Sequence, residues 1–138
     1  MTGPYFNVNS EQETAMLNFM KSRMAANTNG QISTADAIAK SGSGELTVID
    51  VRDISEIRQS GKAEGALHIS LMMLQHHADP RSSEFHAELD LEKPVAIYCA
   101  TGARSGMAVR MMRKLGFQTV YNLGGLSNWA SAGGKIVA

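Results

Sequence analysis

Apolar positions along the chain change rhythm near residue 31. Before that point Met16, Phe19, Met20 and Met24 recur near helical spacing, and Asn27-Thr28-Asn29-Gly30 ends the run. Ser10 and Glu13 precede it as a capping-box pair, each side chain able to bond the other's backbone N–H. This predicts one amphipathic helix within an N-terminal extension, residues 1–30. Its apolar face can pack on the domain or dock a partner, and covering a core is the commoner use of such a face.

From Gln31 to Ala138 short apolar runs alternate with helical patterns, which predicts one α/β domain built on a mostly parallel sheet. Ser33-Thr34 can cap a helix through Asp36 to Lys40, broken by Ser41-Gly42-Ser43-Gly44. Leu46 to Ile49 reads as a buried strand, followed by a short helix through Ile54, Ile57 and Gln59 that Gly61 stops. Ala66 to Ile69 is a second short strand, and Ser70 to Glu92 is polar, with two helical turns at most. Val95 to Tyr98 is continuously apolar, as a central parallel strand buried on both faces must be. A helix is expected over Ser105 to Leu115. Met107, Ala108, Met111, Met112 and Leu115 form its core face, and Gly116 its left-handed C-terminal cap. Thr119 to Leu123 reads as the last strand, before a helical piece around Trp129.

Composition narrows the function classes. Thirteen basic and thirteen acidic residues leave no formal net charge, so the broad electrostatic footprint of a nucleic-acid or anionic-membrane binder is missing. The longest apolar run, Val95 to Ala100, is far short of the about 20 residues that span a bilayer. Met1 to Ser10 lacks the cationic-then-apolar order of a secretory signal, and the expected location is cytoplasmic. The single cysteine, Cys99, can form neither an internal disulfide nor a thiolate zinc cage.

That cysteine stands where chemistry is expected. It follows the buried strand, at the carboxyl end where open α/β sheets place their ligand sites. Small residues at Ala100, Gly102 and Ala103 let successive backbone N–H groups converge into an anion nest, and the helix behind them adds its positive end. Arg104 adds a cation. All three favour thiolate, so the Cys99 pKa is expected below the reference of about 8.5. The plainer alternative is a small hydrophobe that finishes a core strand. The small-residue turn and the arginine favour the nucleophile.

The segment Cys99-Ala100-Thr101-Gly102-Ala103-Arg104-Ser105 resembles the active loop of the rhodanese family of sulfurtransferases. Val48 to Asp53, Gly65 to Ile69, and Val120 to Gly125 with Trp129 and Gly133 resemble further family segments in the right order, and the resemblance spans Gln31 to Val137. It implies a rhodanese-like fold, a five-stranded parallel sheet with helices on both faces. It also implies that Cys99 takes a sulfane sulfur from thiosulfate or a persulfide, becomes a persulfide itself, and passes the sulfur to cyanide or a thiol. Residues Ala100, Thr101, Gly102, Ala103, Arg104 and Ser105 would bind the donor, with no cofactor and no metal. The partners implied are small sulfur donors and acceptors and a sulfur-carrier or thioredoxin-like protein, not nucleic acid or membrane. Many active family members carry a cation directly after the cysteine. Ala100 stands there, so a thiosulfate dianion would meet one loop cation rather than two.

Two other classes share parts of this pattern. A cysteine phosphatase or arsenate reductase also places cysteine and arginine around an anion nest. Its signature has five intervening residues, whereas four separate Cys99 from Arg104. A non-catalytic interaction module of the same fold is the other, and such modules usually lose the cysteine. Elsewhere the plainer readings prevail. Asp50 and Arg52 fit a structural ion pair supporting the active loop, since buried charges are normally paired. His76, His77, Asp79 and His86 lack regular ligand spacing and read as a solvated loop. Trp129 reads as core or rim packing, and the nine methionines mostly as core filler.

Overall fold

The computed structural model describes residues 31–138; the expected N-terminal helix and its methionines lie outside the described residues. Helix α1 (Thr34–Gly42) starts where Ser33 accepts the Asp36 N–H, 3.1 Å away. Strand β1 (Thr47–Asp50) leads into helix α2 (Ile54–Ser60), which Gly61 ends. Then come β2 (Lys62–Ala63), β3 (Leu67–His68) and helix α3 (Leu71–Ala78), the two turns expected in the polar region. The central strand β4 (Val95–Cys99) precedes helix α4 (Ala103–Lys114). Strand β5 (Val120–Gly125), helix α5 (Leu126–Ser131) and β6 (Ile136–Val137) complete the order.

Among the described residues the parallel sheet has four strands in the order β3-β1-β4-β5, where five were expected. Strands β2 and β6 form a separate antiparallel pair, with Lys62 opposite Val137 and Ala63 opposite Ile136. Each has two residues, too short to show an alternation in the sequence.

Side-chain alternation divides the interior between the two faces of this sheet. Ile49, Val95, Ile97, Cys99 and Val120 meet Leu74 and Ala78 of α3 and Ala108, Val109 and Met112 of α4. Val48, Ala96, Tyr98, Tyr121 and Leu123 meet Ala37 of α1 and Trp129 of α5. Every residue of β4 is buried, as its continuous apolarity predicts. Trp129 is core, its indole N–H donating to the Lys135 carbonyl.

Helix α4 presents a different face from the one expected. Val109 lies in the core, while Met107 is 45% exposed. The helix starts at Ala103 rather than Ser105, and the stripe it turns to the sheet is Ser105, Ala108, Val109 and Met112, one step round from the expected one. Met72 and Met73 are exposed as well, so methionine is core filler at Met112 but not at these positions. No helix of the described residues is long and apolar enough to cross a membrane.

Candidate active site

The carboxyl ends of β1, β4 and β5 frame a loop from Cys99 to Ser105 that turns directly into α4. Gly102 makes the turn at φ 104°, a backbone setting that disfavours any side chain. Gly125 is needed for a different reason. A Cβ there would collide with the Ala100 carbonyl oxygen, so only glycine lets β5 lie this close to the loop. The pairing of β4 with β5 shifts register between Ile97 and Tyr98, whose partners are Asn122 and Gly124. That irregularity leaves Asn122 beside the first turns of α4, where it bonds Ser105 and the Gly102 carbonyl.

The Cys99 sulfur is buried beneath the loop. It accepts the Gly102 N–H at 2.9 Å and the Ser105 N–H at 3.4 Å, and the Ser105 hydroxyl stands 3.4 Å away. Burial pushes the thiol pKa up. The Ser105 hydroxyl and the N–H groups of Ser105, Gly102 and Thr101 outweigh it, and the net shift is downward. The expected thiolate-favouring nest thus acquires named donors. Ala100, Thr101 and Ala103 have exposed side chains, so a ligand at the loop would meet small groups and backbone.

Arg104, the expected loop cation, has a partner outside the loop. Its guanidinium forms a two-pronged ion pair with Glu56 on α2, at 2.7 and 2.9 Å. Its charge is therefore balanced locally, and the loop has no uncompensated cation of its own. The same pair holds the Glu56 carboxyl down to about 2, helped by the Asp53 N–H that Glu56 accepts at 2.9 Å. Sequence reasoning missed Glu56. The available signal was its place three residues after Asp53, the capping-box spacing that opens α2.

Asp50 and Arg52 do form a buried ion pair, 2.7 Å apart. Arg52 also bonds the Ser60 hydroxyl at 2.9 Å and the Gly61 carbonyl at 2.5 Å, fastening the far end of α2 to β1. Asn122 was also missed. Its Oδ1 accepts the Ser105 hydroxyl at 2.7 Å, and its Nδ2 donates to the Gly102 carbonyl at 3.2 Å. Counting by two from the core residue Val120 would have put it on the sheet face that carries Cys99.

The histidines of the polar region have local partners: His76 faces Glu84 at 3.1 Å, and the His77 ring is 3.0 Å from the Glu84 carbonyl. His86 accepts the Glu88 N–H.

Residues 33–132 match the rhodanese-like domain family. A Coxiella burnetii protein named thiosulfate sulfurtransferase GlpE is 33% identical over 100 residues, covering 72% of this chain and 85% of that one. The uncharacterised Bacillus subtilis protein YqhL is 36% identical over 100 residues, 72% of this chain and 70% of its own. Among solved structures, a Rhodopseudomonas palustris protein of unknown function, described as a possible tyrosine phosphatase, is 32% identical with a TM-score of 0.66, covering 97% of this chain and 98% of that one.

Proposed function

The chain belongs to the rhodanese-like family of sulfurtransferases, and from that premise we propose that Cys99 is its sulfur carrier. The observation that carries the proposal is the Cys99 sulfur at the end of a buried strand, accepting N–H groups of Gly102 and Ser105 from the loop that follows. Those donors favour the thiolate, which is the attacking form. With thiosulfate, the thiolate attacks the outer sulfur, the sulfur–sulfur bond breaks, and sulfite leaves with the bonding pair. The products are a Cys99 persulfide anion and sulfite. An acceptor thiolate or cyanide then attacks the outer sulfur of the persulfide, forming a new persulfide or thiocyanate and returning the Cys99 thiolate. Two such half-reactions give ping-pong kinetics.

In this reading the N–H groups of the loop from Ala100 to Ser105 hold the extra sulfur and the Ser105 hydroxyl adds a donor. Arg104 fixes the loop through Glu56 more than it binds the donor. Asp50 and Arg52 keep α2, and with it Glu56, in place. Neutral small side chains around the sulfur suit a persulfide, on a small molecule or on a sulfur-carrier or thioredoxin-like protein, better than a dianion. The N-terminal extension, residues 1–30, is proposed as a unit apart from the domain at 31–138.

Intact mass spectrometry tests the carrier. Incubation with thiosulfate or a persulfide should leave a mass gain of one sulfur on wild type, removable by cyanide or a thiol. Cys99→Ser should show neither the gain nor turnover while keeping its fold. An active Cys99→Ser protein overturns the assignment. The phosphatase description of the R. palustris protein gives the competing outcome. Four residues between Cys99 and Arg104 make a short arc of N–H groups, tight for three equatorial phosphoryl oxygens. Aryl phosphates should therefore not be turned over; efficient dephosphorylation with no sulfur uptake would replace this reading.

A further inference from the structure

Asn122 is exposed, yet its amide has definite partners. Two of them fix its orientation, because each has a single role. The Gly124 N–H can only donate, and it meets Oδ1 at 2.9 Å. The Gly102 carbonyl can only accept, and it meets Nδ2 at 3.2 Å. The atom 2.7 Å from the Ser105 hydroxyl is therefore Oδ1, an acceptor. A serine hydroxyl has one proton, so the proton on Oδ1 is withheld from sulfur. Ser105 Oγ nevertheless stands 3.4 Å from Cys99 Sγ and faces it with a lone pair. That arrangement suits a thiol, whose S–H can donate to the oxygen. It does not suit a thiolate, which needs the hydroxyl to turn. If the hydroxyl turns, Asn122 Oδ1 keeps the Gly124 N–H, and no acceptor is stranded.

We propose that Asn122 is a positioning residue for Cys99, holding the Ser105 proton while the sulfur is a thiol and yielding it when the sulfur is an anion. The proton that leaves Cys99 goes to solvent. The Ser105 proton stays on its own oxygen and exchanges only its hydrogen bond. The loop then has a rotatable donor beside its fixed N–H groups, and the strength of the Asn122 acceptor sets how readily it turns. The inference deepens the proposed function, and rests on it only for the persulfide; the ionisation of Cys99 stands apart from sulfur transfer.

The pH dependence of iodoacetamide alkylation of Cys99 tests it. Asn122→Asp puts a charged acceptor against Ser105 and should raise the alkylation midpoint by about one pH unit, a tenfold loss of thiolate below it. Asn122→Ala removes the acceptor, frees the hydroxyl for sulfur and should lower the midpoint. With Ser105→Ala in the background the fall should vanish, and the rise should shrink to the direct effect of the new charge. The titratable groups around the loop are Arg104 on α4, Glu56 on α2 with Asp53 before it, Asp50 and Arg52 at the end of β1, His68 on β3, Tyr98 on β4 and Tyr121 on β5. None is altered in these variants. Shifts of the same sign in both variants, or shifts undiminished without Ser105, overturn the proposal. If Asn122→Ala does not fold, the Asn122→Asp pair with and without Ser105 decides, equal rises being the overturning result. Failure of the sulfur-carrier reading would appear separately, as no mass gain in wild type beside an intact alkylation profile.

Discussion

At position 100 a side chain of one carbon stands exposed beside the buried sulfur, and the loop's own guanidinium, Arg104, is already engaged by Glu56. A thiosulfate dianion arriving at this loop finds N–H dipoles and no free loop cation. Ala100→Arg should therefore lower the KM for thiosulfate about tenfold, since a cation beside a dianion in a partly desolvated site contributes on the order of 1–2 kcal/mol. Steady-state kinetics on both proteins measure it, and an unchanged or raised KM would show that position 100 does not face the donor. At this scale the sequence was legible wherever local chemistry decides. The cysteine, the small residues and Gly102 follow from what a thiolate nest requires. The partner of Arg104 was not legible, because Glu56 lies 48 positions earlier and only the packing of α2 against the loop joins them. Counting from Val120 places Asn122 on the Cys99 face, but its bonds to Ser105 and Gly102 depend on how β5 packs beside the loop.

Between elements, the Glu56–Arg104 pair is the clasp joining α2 to the start of α4. Glu56 ionises at about 2 in the folded protein, chiefly because Arg104 holds its charged form, against 4.5 for an ordinary glutamate. A carboxyl whose folded pKa is depressed adds stability above its unfolded pKa and loses it as pH falls through the folded value. The clasp should thus be fully effective near neutrality and should weaken between about pH 4.5 and about pH 2. Glu56→Gln lacks this titration, so its urea midpoint should lie below that of wild type at about pH 6 and converge with it by about pH 2. Parallel curves for the two proteins would mean that the pair has no part in stability. The elements themselves were mostly legible, because burial on one or both faces writes a period into the text. The sequence misled where that period was too short or where two adjacent faces were both apolar. Two-residue strands carry no alternation, and in α4 two adjacent stripes are both apolar enough to read as the core face, so only packing on the sheet selects the one with Val109 over the one with Met107.

Over the whole molecule, the last residues return to hold the sheet face opposite Cys99. The Lys135 carbonyl accepts both the Trp129 indole N–H at 3.1 Å and the Glu64 N–H at 2.9 Å, and Ile136–Val137 pairs with β2. Strand β2 is in turn tied to the core, where the Ala63 N–H meets the Tyr98 hydroxyl at 2.9 Å. Gly134 is the close point of this return. A Cβ on it would overlap the Trp129 ring, whereas a Cβ on Gly42, at the end of α1, would meet nothing within 4 Å. Neither glycine has the left-handed backbone, so the same substitution isolates packing at one position and chain entropy at the other. Gly134→Ala should cost about 1–3 kcal/mol, as overpacking against a buried ring does. Gly42→Ala should be neutral or stabilise by up to about 1 kcal/mol, because it only restricts the unfolded chain. Trp129 is the one tryptophan, so urea unfolding followed by its fluorescence reads both effects at the packed site itself. Sulfur uptake by Cys99 should survive in Gly134→Ala below its unfolding range, since the cysteine packs on the other face of the sheet. A Gly134→Ala protein as stable as wild type would show that the terminal return is loose, with the indole free to move aside.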